Sequence, residues 1–250
     1  MEANSVVIVT GGGSGIGRGT AQLAAERGAA VAVLDRHEAN AQETVASIES
    51  AGGRAIALAV DVADDAAVGA AVATTASTLG RVTGLVTAAG IFHGPDLQPI
   101  ETVEIDDFFR VLAVNLGGTF SAIRHCLPVL AEGGGAIVTI ASTAAIRGHG
   151  FGPGYTASKG GVDALTRLVA TQAGPRGVRA NCICPGGIDT PMTGGTFASD
   201  DAAARAKRSI PLQRYGVPLD IAAVACFLLS SDAQYLTGQT IPVEGGSTIN

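Results

Sequence analysis

The chain has 250 residues, 47% hydrophobic and 15% charged, with 35 glycines and no tryptophan, which suits one domain (residues 1–250) rich in buried sheet and tight turns and excludes a disordered chain. A net charge of −6, a pI near 5.1 and no block of Lys or Arg exclude an electrostatic footprint for phosphate backbones or anionic lipid, so neither nucleic acid nor membrane is expected as a partner. The four cysteines lack paired CxxC spacing, the longest apolar run (221–229) falls short of the roughly 18 residues that span a bilayer, and the first residues show no secretory pattern; no metal and a reducing, cytoplasmic setting are expected.

The first predicted strand, VVIVT at 6–10, runs into the turn GGGSGIG and then an amphipathic helical stretch. Gly11, Gly15 and Gly17 permit close backbone approach, and Ser14 and Ile16 complete the turn. A helix starting here offers unpaired N–H groups and a positive dipole end to a diphosphate. The second strand, AVAVL at 30–34, ends at Asp35, where a carboxylate reaches an adenosine ribose diol. Like charge there disfavours a 2′-phosphate, so NAD is expected over NADP. Arg36 opposes this, since its guanidinium could accept the phosphate.

The third strand, AIALAV at 55–60, is followed by Asp61 and Val62, a carboxylate and a backbone group placed for an adenine; Asp61 equally suits a helix cap or turn. The fourth, GLVT at 84–87, passes into AAG, and the small residues from Thr87 through Ala89 and Gly90 leave room for a flat group. A helical segment beyond it carries Asn115. The fifth strand, AIVTI at 136–140, exits at Ser142. In GYTASKG, Tyr155 and Lys159 stand one helical turn apart, which puts phenol and ammonium on one face about 5–6 Å apart. The sixth strand, VRANCI at 178–183, puts Cys182 and Cys184 on one side as small hydrophobes. Residues 186–209 follow a strand end with weak periodicity and are expected to form a mobile substrate-binding loop, a solvated surface loop being the other reading. A seventh strand includes QTIPV, where Pro242, lacking a ladder donor, suits an edge.

Strands alternating with helical segments imply right-handed βαβ units and an α/β fold: a Rossmann-like doubly wound parallel sheet of about seven strands with helices on both faces. Taken singly, Ser142 could cap a strand end, Asn115 mark a helix kink and Thr190 form a side-chain turn.

Together the motifs resemble the short-chain dehydrogenase/reductase family in its single-domain form of about 250 residues, over essentially the whole chain. The matching pieces are TGGGSGIG (10–17), Asp35, Asp61-Val62, Ala89-Gly90, Asn115, Ser142, YTASK (155–159), PGGIDT (185–190) and the terminal TGQTIPVEGG. The resemblance implies that Tyr155 exchanges a proton with the substrate oxygen while Ser142 hydrogen-bonds that oxygen. It implies further that Lys159 lowers the tyrosine's pKa and binds the nicotinamide ribose, and that Asn115 holds a water linking Lys159 to solvent. Pro185, Gly186, Ile188 and Thr190 would flank the nicotinamide and set pro-S transfer. Such a tyrosine needs its anion stabilised, because its ordinary pKa is near 10. Two departures stand out: Thr87 and Ala88 replace asparagines common in the family, and Glu244 replaces an aspartate near an expected subunit contact.

The pocket wall is expected from residues 91–94, Ser142, Thr143, Ala144, His149, Gly152, Gly187, Met192 and Phe197, mainly small or apolar. This suggests a secondary, even cyclic, alcohol or its ketone as the small-molecule partner. The alternatives are a 3-oxoacyl carrier-protein reductase using NADPH and a noncatalytic nucleotide-sensing protein of the same fold. The resemblance also implies a homotetramer built through the helices around 107–130 and 155–173 and through the C-terminal strand.

Overall fold

A computed structural model describes residues 5–92, 94–148, 152–194 and 199–249. Its strands are β1 (Val6–Thr10), β2 (Ala30–Asp35), β3 (Arg54–Ala59), β4 (Gly84–Thr87), β5 (Gly135–Ile140), β6 (Val178–Pro185) and β7 (Thr240–Val243). All pair in parallel in one seven-stranded sheet ordered β3-β2-β1-β4-β5-β6-β7. The strand order reverses between β1 and β4, and the crevice outside the strand carboxyl ends at such a reversal is where open α/β sheets take ligands.

The helices are α1 (Gly15–Glu26), α2 (Glu38–Ser50), α3 (Asp65–Leu79), α4 (Ile105–Leu112), α5 (Gly118–Leu130), α6 (Pro153–Ala173), α7 (Asp200–Ser209) and α8 (Pro218–Leu229). The two-residue period of a strand sorts them onto the two faces. Val6, Ile8, Leu85 and Ile137 pack with α3, α5 and α6 through Val68, Val72, Ile123, Leu130 and Val169. Val7, Val9, Val31 and Val138 pack with α1, α2 and α8 through Ala21, Ala24, Ile48, Ile221 and Leu228. Strands buried on both faces read as unbroken apolar runs, as VVIVT and AVAVL do. Burying each such side chain is worth about 1.5–3 kcal/mol, which holds the strand ends in the register that positions the site.

The strands match the expected ones with shifts at their ends: β3 starts one residue earlier, and β2 runs on to include Asp35. The helix containing Asn115 is not uniform. Between α4 and α5 lies a π turn, Ala113–Gly117. Residues 186–209 hold more structure than a loop: a 3₁₀ turn at Pro191–Thr193, then α7. Ser199 caps α7 by accepting from the Ala202 amide, two aspartates occupy its first turn, and Ala202 and Ala206 are buried. The alanine-rich sequence favours helix once capped, which overrides the weak apolar period. Pro242 lies on the edge strand β7. No helix among the described residues is long and apolar enough to cross a membrane.

Candidate active site

At the β1 carboxyl end the glycine turn is set by space. A Cβ on Gly17 would lie 2.1 Å from the Gly11 carbonyl oxygen, and one on Gly11, whose φ is +65°, would lie 2.7 Å from the Ala89 backbone. Ser14 precedes α1 without a side-chain cap, so the first-turn N–H groups keep no side-chain acceptor. Gly11, Ser14, Gly15, Ile16, Gly17, Asp35, Arg36, Asp61, Val62, Ala89, Gly90 and Thr190 line a cleft of about 510 Å³. Asp35 is largely buried at its rim; its Oδ2 accepts from the Gly13 amide at 3.0 Å and its Oδ1 from the His37 amide at 2.9 Å. The Arg36 Nε donates to His37 Nε2 at 3.0 Å. Asp61 makes a turn bond, accepting from the Ala63 amide, and also faces the cleft. A turn that no side chain can enter, an uncapped helix start and a carboxylate at the β2 end fit a dinucleotide's diphosphate and ribose.

A second cavity of about 510 Å³ shares Ile16, Ala88, Gly90, Phe92, Thr190 and Met192 with the first, so the two form one continuous cleft. Ser142, Tyr155, Lys159, Pro185, Gly186, Gly187 and Ile188 line its far end. Tyr155 hydrogen-bonds the Ser142 side chain, whose Oγ also accepts from the Ala144 amide at 3.1 Å. Lys159 is buried one turn along α6; its Nζ donates to the Ile140 carbonyl at 2.9 Å and lies 5.7 Å from the tyrosine ring centroid. Asn115 is fully buried in the π turn. Its Oδ1 accepts from the Ile91 amide, and its Nδ2 donates to the Ile91 carbonyl and to Ser158 Oγ. A Cβ on Gly90 would sit 3.2 Å from Asn115 Oδ1 and 3.5 Å from Lys159 Nζ, so a side chain there would fill the space between them.

The electrostatics correct one expectation. Burial pushes the Tyr155 phenol above its ordinary value, and the hydrogen bond from Ser142 only partly opposes it. Burial also lowers the Lys159 ammonium to about 8. Lys159 reaches the ring and a main-chain carbonyl, and desolvation by burial is the largest influence on both groups.

Two further placements, those of Thr87 and Ala144, differ from the sequence reading. Thr87 is buried within β4, its hydroxyl without a hydrogen-bond partner, and lies outside the cleft lining. Strand β4 ends at Thr87, so that side chain stays packed in the sheet while Ala88, Ala89 and Gly90, beyond the strand, line the crevice. Ala144 is buried behind Tyr155 with Val111 and Phe92 rather than in the cavity wall. Glu244 serves its own turn, accepting from the amides of Gly246 and Thr248. His93, His149 and Phe197 lie outside the described residues. Cys182 and Cys184 do share one side of β6, buried against Val162.

Two residues in the site escaped the sequence reading. Ser158 donates to the Tyr155 carbonyl at 2.7 Å, linking it to Asn115. Asp96, fully buried in the segment after β4, accepts from the amides of Gly154 at 2.7 Å and Tyr155 at 2.8 Å. The available signal was Gly152-Pro153-Gly154: a helix start with no side-chain cap and no Cβ on either side of the proline leaves both an acceptor to be found and room for it.

Residues 11–248 match the family model described as Enoyl-(Acyl carrier protein) reductase. The short-chain reductase protein NovJ of Streptomyces niveus is 41% identical, over 98% of this chain and 95% of that one. A cyclohexanol dehydrogenase of an Acinetobacter species is 38% identical, over 98% and 95%. A crystal structure from Beutenbergia cavernae with NADP bound at low occupancy superposes with a TM-score of 0.91 at 36% identity, over 99% and 98%. With the parallel sheet, the glycine turn and the Ser142-Tyr155-Lys159 cluster, this similarity over nearly the full length makes the chain a member of the short-chain dehydrogenase/reductase family of nicotinamide-dependent oxidoreductases.

Proposed function

We propose that the protein is an NAD(H)-dependent oxidoreductase that interconverts a secondary, cyclic alcohol and its ketone. The carrying observation is the Tyr155 hydroxyl held by Ser142 at the end of a cavity walled by Phe92, Ile140, Ala141, Ile188 and Met192. A group buried among apolar side chains and in contact with a hydrogen-bond donor can protonate or deprotonate a substrate oxygen. When bound, the nicotinamide supplies the hydride acceptor for the alcohol carbon or the donor for the ketone. The glycine turn, Asp35, Asp61 and Val62 would hold the adenosine and diphosphate; Pro185, Gly186, Ile188, Thr190 and Lys159 would hold the nicotinamide end.

In the oxidative direction Tyr155 takes the hydroxyl proton as the substrate's C–O bond becomes a carbonyl, Ser142 steadies the charge on that oxygen, and Lys159 passes the proton onward through a water that Asn115 would hold. The reverse delivers it to the nascent alkoxide. Because burial raises the phenol, the tyrosine alone stays protonated and ready to donate, and a cation held close to it at turnover favours the base form.

Asp35 in the cleft lining supports NAD, since its carboxylate would face a 2′-phosphate with like charge. Arg36, which lines the same cleft with its Nε bonded to His37, favours a second reading, a 3-oxoacyl carrier-protein reductase using NADPH. The apolar lining and the cyclohexanol dehydrogenase relative favour the first. Exposed Phe109, Phe120 and Leu168 on α4, α5 and α6 support association of these helices in a homotetramer, and four free, buried cysteines are in keeping with a reducing cytoplasm. The test is a panel of cyclic and open-chain secondary alcohols and ketones assayed in parallel with NAD(H) and NADP(H). Turnover of cyclic substrates with NAD(H) is expected; turnover confined to NADPH and 3-oxoacyl thioesters would overturn the reading in favour of the second.

A further inference from the structure

Asp96 has no role in the chemistry above, yet it is a fully buried carboxylate with both oxygens committed to one short stretch of chain. Its acceptors meet the second and third amides of α6, which begins at Pro153 and has no side-chain cap of its own. An acidic group at this point satisfies two orphan donors and complements the helix dipole, so it fixes where the first turn begins. Tyr155 belongs to that first turn, and its own amide is one of the two donors.

The fit is close on every side. A Cβ on Gly152 would fall 1.8 Å from the Asp96 carbonyl oxygen, and one on Gly154 would fall 2.9 Å from its Oδ1. The segment that carries Asp96 also carries Phe92, whose ring meets the Tyr155 ring edge-on at 5.3 Å and 84°. From the opposite side Ser158 holds the Tyr155 carbonyl, itself tied to Asn115. Tyr155 is therefore gripped at its amide, carbonyl, ring and hydroxyl, and the amide grip comes from a residue 59 positions earlier in the chain.

We propose that Asp96 is a positioning residue for Tyr155: its carboxylate pins the first turn of α6 so that the phenol meets the substrate oxygen in reacting geometry. The inference rests on Tyr155 being the proton-transfer group. Displacement of such a group by about 1 Å costs on the order of a hundredfold in rate, so the signature is a loss in kcat rather than in binding.

The test compares Asp96→Ala, Asp96→Asn, Tyr155→Phe and the double variant Asp96→Ala/Tyr155→Phe, with the best alcohol from the substrate panel and with NADH binding by fluorescence. Asp96→Ala should lower kcat by about a hundredfold, and Asp96→Asn, which keeps one acceptor, by roughly tenfold. Substrate KM and NADH affinity should stay near wild type, and the solvent deuterium isotope effect on kcat should rise. In the Tyr155→Phe background the alanine change should cost nothing more, because a residue acting through Tyr155 has nothing left to position. Wild-type kcat in folded Asp96→Asn and Asp96→Ala, loss of NADH affinity in step with kcat, or an additive loss in the double variant would each overturn the proposal. Full turnover by Tyr155→Phe alone would instead remove the reading on which it rests.

Discussion

The two halves of the sheet build their parts of the cleft by different means. Around β1 to β3 the cleft is made largely of backbone: a glycine turn closed by steric exclusion, β1 and β2 buried to the last residue, and the exposed Arg18–Glu43 ion pair at the periphery. Around β4 to β6 it is made of buried polar side chains that hold one another, with Asp96, Asn115, Ser142, Ser158 and Lys159 all largely shielded from solvent. A backbone-built cradle is specified wherever a side chain must be absent. A side-chain-built site is specified by every partner at once, and each group left unpaired carries a desolvation cost of about 1–3 kcal/mol.

The contrast can be broken at either end. The largest effect is expected from Ser142→Ala, which removes the hydrogen bond to the Tyr155 hydroxyl. Loss of one such donor typically lowers kcat by about 10²–10³, and NADH affinity should not move. Because that bond lowers the phenol's pKa, the rising, acidic limb of the alcohol-oxidation profile should also shift to higher pH; a profile left in place would contradict the assignment.

Gly17→Ala probes the other half. Its Cβ would meet the Gly11 carbonyl at 2.1 Å, so the turn must open. Overpacking of about 1–3 kcal/mol corresponds to roughly 5- to 150-fold weaker NADH binding by calorimetry, with kcat at saturation nearly kept. Equal losses in kcat would mean that the two halves are not separable in this way.

A smaller effect sharpens the picture of Lys159, whose ammonium burial lowers to about 8 from an ordinary 10.5. Between those values the unfolded chain binds more protons than the folded one, so stability gains from this group as pH rises through the window. In cofactor-free protein, the stability of wild type relative to Lys159→Met should therefore increase from about pH 8 to 10 in chemical denaturation. A flat or falling difference would show that the ammonium is better solvated than its burial indicates.

The same contrast decides what could be read in the amino-acid sequence. Gly11, Gly15, Gly17 and Asp35 announce themselves by spacing, because backbone approach and a strand end depend on local residue order. Tyr155 and Lys159 are legible for the same reason, one helical turn apart. Asp96 and Ser158 are not: a carboxylate that serves amides on a distant helix leaves no local pattern, and a serine inside a helix is usually a neutral filler. The direction of the Tyr155 shift also escaped, since charge proximity is visible in a sequence while burial of both partners is not. Thr87 was misplaced because it is the last residue of β4 and packs within the sheet, while the crevice begins with the residues that follow.

The central claim is that Tyr155 transfers the proton and that the groups around it hold it in place. It is tested most directly by single-turnover reduction of the best ketone with Tyr155→Phe and wild type under identical conditions, NADH affinity being measured on the same samples. The account predicts unchanged NADH affinity and a reduction rate lower by about 10²–10⁴. A Tyr155→Phe variant that reduces the ketone within a factor of a few of wild type would contradict it.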